Sequence, residues 1–150
     1  MEKIKFDKKE IEKIFIKAER ILFNKKNVIE IIFNDFDHKT FDANNKVLLK
    51  SVSQKAIVYC LWSGTSIEKV SQKYIGHSSS KYSRTRIRSH LAYKSVKTSA
   101  KLDNIKEELK LKNCIGISFL IIEPEYMRRS LEEWLIEKYS QILSWNNGKH

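Results

Sequence analysis

Residues 73–90, "KYIGHSSSKYSRTRIRSH", bring together side chains suited to chemistry on an oxyanion. Arg86 and His90 stand four residues apart, so on a helix they project from one face. Arginine offers paired N–H donors that grip and neutralise an anionic oxygen, and histidine passes protons near neutral pH. Tyr74 and Gly76 lie in a strand-like run just ahead of them, and a second tyrosine, Tyr59, closes "IVY" 15 positions before Tyr74. Glu132 and Asn146 come much later, the first in a helical pattern and the second behind an aromatic residue. Taken singly, strand tyrosines and helix carboxylates are ordinary packing and surface residues. Their order is the signal.

Charge points the same way. The chain of 150 residues carries a net charge of +11, and the excess is local. Residues 1–50 hold 12 basic and 9 acidic residues, residues 51–114 hold 13 and 4, and residues 115–150 hold 4 and 5. From Lys69 to Lys101 there are nine basic residues and no acidic one. A solvated surface usually mixes both signs, so a one-sign stretch of this length implies a polyanionic partner, a nucleic acid before others. No apolar run approaches the ~20 residues of a membrane span, and the start "MEKIKFDKKEIEK" is too charged for a secretory signal. Cys60 and Cys114 each sit in an apolar run and read as free thiols inside the core rather than a disulfide or metal ligands. A cytoplasmic protein without membrane attachment is expected.

The elements that must position these residues follow from periodicity. "KKEIEKIFIKAERILFNKK" sets Ile11, Ile14, Phe15, Ala18, Ile21 and Leu22 at helical spacing. "NVIEIIFNDFDHKTFDANN" reads as a short strand or helix end, then a loop. "KAIVYCLW" is a strand, "SGTSIEKVSQ" a turn and "KYIGHS" a returning strand, so the two form an antiparallel hairpin. Ser83 is placed to cap a helix over "RTRIRSHLAYKSVK", and Asp103 or Asn104 to cap another over "DNIKEELKLK". "CIGISFLIIE" is a third strand, and Pro124 suits the first turn of a last helix, "EYMRRSLEEWLIEKYSQIL". Composition leaves room for one domain with a real core, residues 1–50 being a helical extension packed on a core of residues 51–150. The expected class is α+β: a three-stranded antiparallel sheet, the hairpin plus a third strand, flanked by helices.

Set in chain order, the motifs resemble those of the GIY-YIG nuclease family. "IVY" (57–59) is similar to the first tripeptide and "YIG" (74–76) matches the second. "RIRSH" (86–90) resembles the arginine with a histidine one turn on, "EEWLIEKY" (132–139) the helix with the glutamate, and "WN" (145–146) the terminal aromatic-Asn pair. The likeness spans residues 55–147. It departs from the family pattern in Ala56-Ile57-Val58 before Tyr59, where the family has a glycine, and in 12 positions from Tyr74 to Arg86, about two more than usual. That extra length makes Arg84 the rival to Arg86, and Asn147 stands beside Asn146; Arg86 is preferred because only it has a histidine four residues on.

The resemblance implies a metal-dependent endodeoxyribonuclease that hydrolyses phosphodiester bonds of double-stranded DNA. Phosphodiester cleavage needs an activated water, a neutralised phosphate oxygen and a stabilised leaving group. By resemblance Glu132 anchors one Mg²⁺ (or Mn²⁺) per site, Arg86 holds the phosphate, and Tyr59 is the general base. Tyr74 orients water or phosphate, His90 relays a proton, and Asn146 is a structural or orienting amide. Its ordinary pKa of ~10 means that a base tyrosine needs help from neighbouring charges. His77, Lys81, Arg84, Arg88, Lys94 and Lys97 are expected to hold flanking DNA backbone. A stand-alone domain that cuts both strands does so most simply as a homodimer, which favours a type II restriction enzyme. A phage or mobile-element nicking or structure-selective nuclease is the alternative, as is a non-catalytic nucleic-acid-binding module on the same scaffold.

Overall fold

The run "IVYCLWSG" becomes the central strand, β2 (Ile57–Gly64), buried through Ser63 on both of its faces. In this computed structural model, which describes residues 1–33, 38–91 and 99–146, β2 turns through a 3-10 segment at Ile67–Lys69 into β3 (Val70–Ser78). On its other side β2 pairs with β4 (Cys114–Ile121), and β1 (Ile29–Ile31) adds outside β4. The sheet is antiparallel throughout, with order β1-β4-β2-β3. The α+β class and the hairpin are as expected; the sheet has four strands where the sequence reading had three. The fourth comes from the ambiguous segment after the first helix, too short for periodicity to identify.

Helices cover both faces. α1 (Lys8–Leu22) is capped by Asp7, whose carboxylate accepts from the Lys9 and Glu10 amides at 3.0 and 3.4 Å. With α6 (Met127–Lys138) it packs Phe15, Leu22, Leu131 and Leu135 onto Val58, Cys60, Trp62 and Ile75. The opposite face carries Tyr59, Leu61 and Tyr74, packed with Leu48, Leu49, Val52, Ile87, Leu91 and Ile105. Those come from α3 (Lys46–Val52), α4 (Ser83–Leu91) and α5 (Ser99–Lys110), with α2 (His38–Asn44) contributing Phe41. Adjacent residues of one strand thus feed two separate cores, as the pleat dictates.

At each side of the sheet an asparagine side chain pairs with the backbone of one residue. Asn146 accepts from the Ile75 amide at 2.8 Å and donates to the Ile75 carbonyl at 2.9 Å, as a neighbouring strand would. Asn45 does the same to Ile32, just past β1, at 2.9 and 3.0 Å. Buried amides of this kind satisfy backbone groups that an unpaired edge would leave exposed to pairing with another chain.

Several local readings are corrected. Residues 38–44, read as loop, form α2, and α3 follows in a stretch to which the sequence reading gave no element of its own. Ser83 does not cap its helix; its hydroxyl donates to the Val52 carbonyl at 2.6 Å and ties α4 to α3. α5 begins at Ser99 rather than at Asp103 or Asn104. α6 begins at Met127, because Pro124 closes a turn with the Met127 amide (3.0 Å) and Glu125 is drawn away to Ser80. Cys60 is buried and Cys114 half-buried, both free thiols. Among the described residues no helix is long and apolar enough to cross a membrane.

Candidate functional site

Tyr59 and Tyr74 meet across the hairpin. In the register Tyr59 faces Gly76 and Leu61 faces Tyr74, which makes the two tyrosines diagonal neighbours on one face. Their ring centroids lie 6.1 Å apart, and both side chains are fully buried. Gly76 makes this possible. A Cβ placed there would come within 2.5 Å of the Tyr59 Cζ and Oη atoms and 2.9 Å of the Tyr74 ring, so the phenol of Tyr59 lies directly over bare backbone. A bulge where Leu61 pairs with Tyr74 but Trp62 with Gln72 leaves Lys73 extra and re-aims the strand at Tyr74.

Arg86, from the first turn of α4, interacts with both phenols by charge and by hydrogen bonding. Burial pushes the Tyr59 phenol well above its ordinary pKa, against the pull of Arg86, and pushes Tyr74 up to about 12. For Arg86 burial alone would lower the pKa, but the phenols and Glu132 outweigh it and raise it. The guanidinium is therefore a fixed cation beside two neutral phenols.

Glu132 approaches from the other side of the sheet. Its neighbours Leu131 and Leu135 sit in the α1/α6 core, while its carboxylate stands 3.9 Å from His77 Nε2 at the edge strand. From there it contributes to raising both phenols and to stabilising charged Arg86. Among the described residues no three His, Cys, Asp or Glu side chains gather into a closed metal cage. A hard divalent cation that keeps most of its waters and takes substrate oxygens needs only one such part-exposed carboxylate, so Glu132 fits that donor set.

The other expected residues separate. Asn146 is an edge clamp on β3 and so holds the strand between Tyr74 and Gly76 in place. Arg86 rather than Arg84 lies against the phenols; Arg84 is half-exposed, 4.0 Å from Asp42. Arg88 forms a two-pronged bond with Asp42, 2.9 Å for each prong, and so meets a carboxylate that is distant in sequence. Lys81 is exposed, its ammonium 5.4 Å from the centre of the Tyr82 ring. His90 continues α4 one turn past Arg86, but its side chain lies outside the described residues, as do Lys94, Lys97 and Asn147.

Three basic residues at the site were not anticipated. Lys101 is buried against the Tyr74 ring, 4.9 Å from its centre, and donates to the Trp145 carbonyl; burial lowers its pKa. Nothing in its helical context announces it. Arg128 and Arg129 stand four and three residues before Glu132, spacings that put them beside it on a helix, and that signal was legible. Comparison of the chain with protein-family models, with curated proteins and with solved structures returns no match.

Proposed function

We propose that this chain is a metal-dependent endodeoxyribonuclease of GIY-YIG type, acting on double-stranded DNA most simply as a type II restriction-like homodimer. The observation that carries the reading is the convergence of two buried phenols on one arginine, with a carboxylate at the adjoining edge strand. Packing alone asks for none of these polar groups, and binding alone does not ask for them together.

In this reading Arg86 grips a phosphate oxygen and meets the charge that develops on it. Tyr59, once its own phenol proton has been lost or relayed to His90, accepts a proton from the attacking water, and Tyr74 holds the geometry between phenol and guanidinium. Because burial keeps both phenols protonated in the free protein, cleavage requires a further positive charge near them. Glu132 would hold Mg²⁺ or Mn²⁺, which when bound supplies Lewis-acid stabilisation of the phosphate and the leaving oxygen. The flanking cations Lys81 and Arg84 and the chain's net charge of +11 favour a DNA backbone, and the cytoplasm is the compartment where such an enzyme meets it. A homodimer is supported by the incompletely covered apolar side of α1, where Ile14, Ile21 and Ile121 remain exposed around a groove of about 330 Å³.

A second reading, a non-catalytic nucleic-acid-binding module, is favoured by one observation: Tyr59 is fully buried, whereas a general base must reach water. One experiment separates the two. Plasmid DNA is incubated with Mg²⁺, with chelator, and with Glu132→Ala protein. Cutting that chelator and the substitution both abolish, with DNA binding retained, supports the enzyme. Binding by every form without any cutting would sink it.

A further inference from the structure

Beside the tyrosines lies a cleft of about 310 Å³ whose lining is basic and hydroxylic: Arg86, Arg128 and Arg129 with Tyr82, Thr85 and His77. No carboxylate lines it among the described residues. Two carboxylates flank the cleft with partners of their own: Glu125 accepts from the Ser80 amide and hydroxyl at 2.6 and 3.0 Å, and Glu132 stands 3.9 Å from His77.

Two features make this arrangement costly without an anion. α4 and α6 both bring their N-terminal turns to the cleft, and neither turn carries an acidic residue. Arginines at those turns add to the positive end of each helix dipole, the reverse of the usual preference. Arg128 donates to the Glu125 carbonyl at 2.9 Å through Nη1, but its Nε is buried with no hydrogen-bond partner among the described residues. A buried donor of that kind costs free energy until an acceptor arrives.

We propose that this cleft holds a second backbone phosphate, the neighbour of the scissile one on the same DNA strand. The inference rests on the nuclease reading for its partner. Arg86 joins the two positions, lining the cleft while it touches both phenols. His77 and Arg129 also line the adjoining groove, where Glu132, Glu133 and Glu137 gather, so these two residues form the passage by which one strand reaches from the cleft to the Glu132 carboxylate. Such a contact orients the strand and reads no base, as phosphate contacts do.

The test uses the full chain with chelator present and a random-sequence DNA duplex, and follows the binding constant as salt is raised. One lost phosphate contact flattens the plot of log affinity against log salt by about one unit. Arg129→Gln and the double variant Arg128→Gln/Arg129→Gln are expected to flatten it by about that much and to weaken binding roughly tenfold or more at low salt. Arg20→Gln, in α1 and outside the cleft, is expected to leave the slope unchanged. Arg129 is exposed, so its variant keeps the question answerable if the double variant melts early. Wild-type slope in a well-folded Arg129→Gln protein overturns the subsite. Wild-type protein that binds DNA with the expected arginine dependence but never cuts plasmid supports the subsite and overturns the nuclease; cutting with an unchanged slope does the reverse.

Discussion

The two faces of the hairpin are built from alternate residues of the same two strands, and they do different work. Val58, Cys60 and Ile75 point to the α1/α6 side, a mainly apolar core in which the Ser118 hydroxyl accepts from Trp62 Nε1 at 2.9 Å and donates to the Leu22 carbonyl at 2.6 Å. Tyr59 and Tyr74 point to the α2–α5 side, where a guanidinium and an ammonium enter the core with them. A face whose polar groups must be partnered is harder to fill than an apolar one, because each lost partner leaves a desolvated group behind. One face is therefore specified by volume and the other by pairing.

The largest test of that contrast is substitution on each side. Leu135→Ala empties a fully buried position of the apolar face and is expected to cost about 2–5 kcal/mol, read from the urea midpoint, with cleavage by the folded fraction unchanged. Tyr59→Phe keeps the ring and its volume, so its stability cost is expected near 1 kcal/mol. Its cleavage rate is expected to fall a hundredfold or more. If Tyr59→Phe cut at the wild-type rate, the polar face would be a packing solution and no more.

A second test uses pH. Tyr74 is raised from 10.0 to about 12 by burial first, with Glu132 adding to the rise and Arg86 opposing it. The folded protein therefore keeps the proton in a range where the unfolded chain has released it. The stabilisation this represents is complete below pH 10 and is lost as pH climbs from 10 to 12. Two units correspond to roughly 2–3 kcal/mol at most. Thermal melts across that range are expected to show a steeper loss for the wild type than for Tyr74→Phe. Parallel curves would place the phenol in a wetter setting than this face provides.

How far the sequence foretold all this differs by region for the same physical reason. The hairpin, α1 and β4 were legible because long apolar or amphipathic runs declare their own burial. Tyr59, Tyr74, Arg86 and Glu132 could be ordered by motif, and the fold brings them near one another. β1, with three residues, and the short helices α2 and α3 carried too little pattern to read. Asn146 was noticed as an amide, yet its use as a strand clamp depends on an edge that no local pattern reveals. Lys101 was hidden because a lysine announces solvent, and only tertiary packing against Tyr74 and Trp145 makes it a core residue.

The smallest effect is expected from the arginine stripe itself. In sequence Arg84, Arg86 and Arg88 look alike, three cations at alternate positions without an acid nearby. In the fold Asp42 of α2 separates them: it takes both prongs of Arg88 at 2.9 Å and stands 4.0 Å from Arg84, while Arg86 turns to the phenols. A part-exposed pair of this kind contributes on the order of 1 kcal/mol or less. Asp42→Asn preserves the shape and removes the charge, so it is expected to lower the melting temperature by a few degrees. The same change returns Arg84 and Arg88 to any polyanion that reaches this face, and DNA affinity is expected to rise about two- to fivefold with a steeper salt dependence. If affinity stayed constant while stability fell, α4 would meet DNA only through its Arg86 side, and Arg88 would belong with the residues that build the fold.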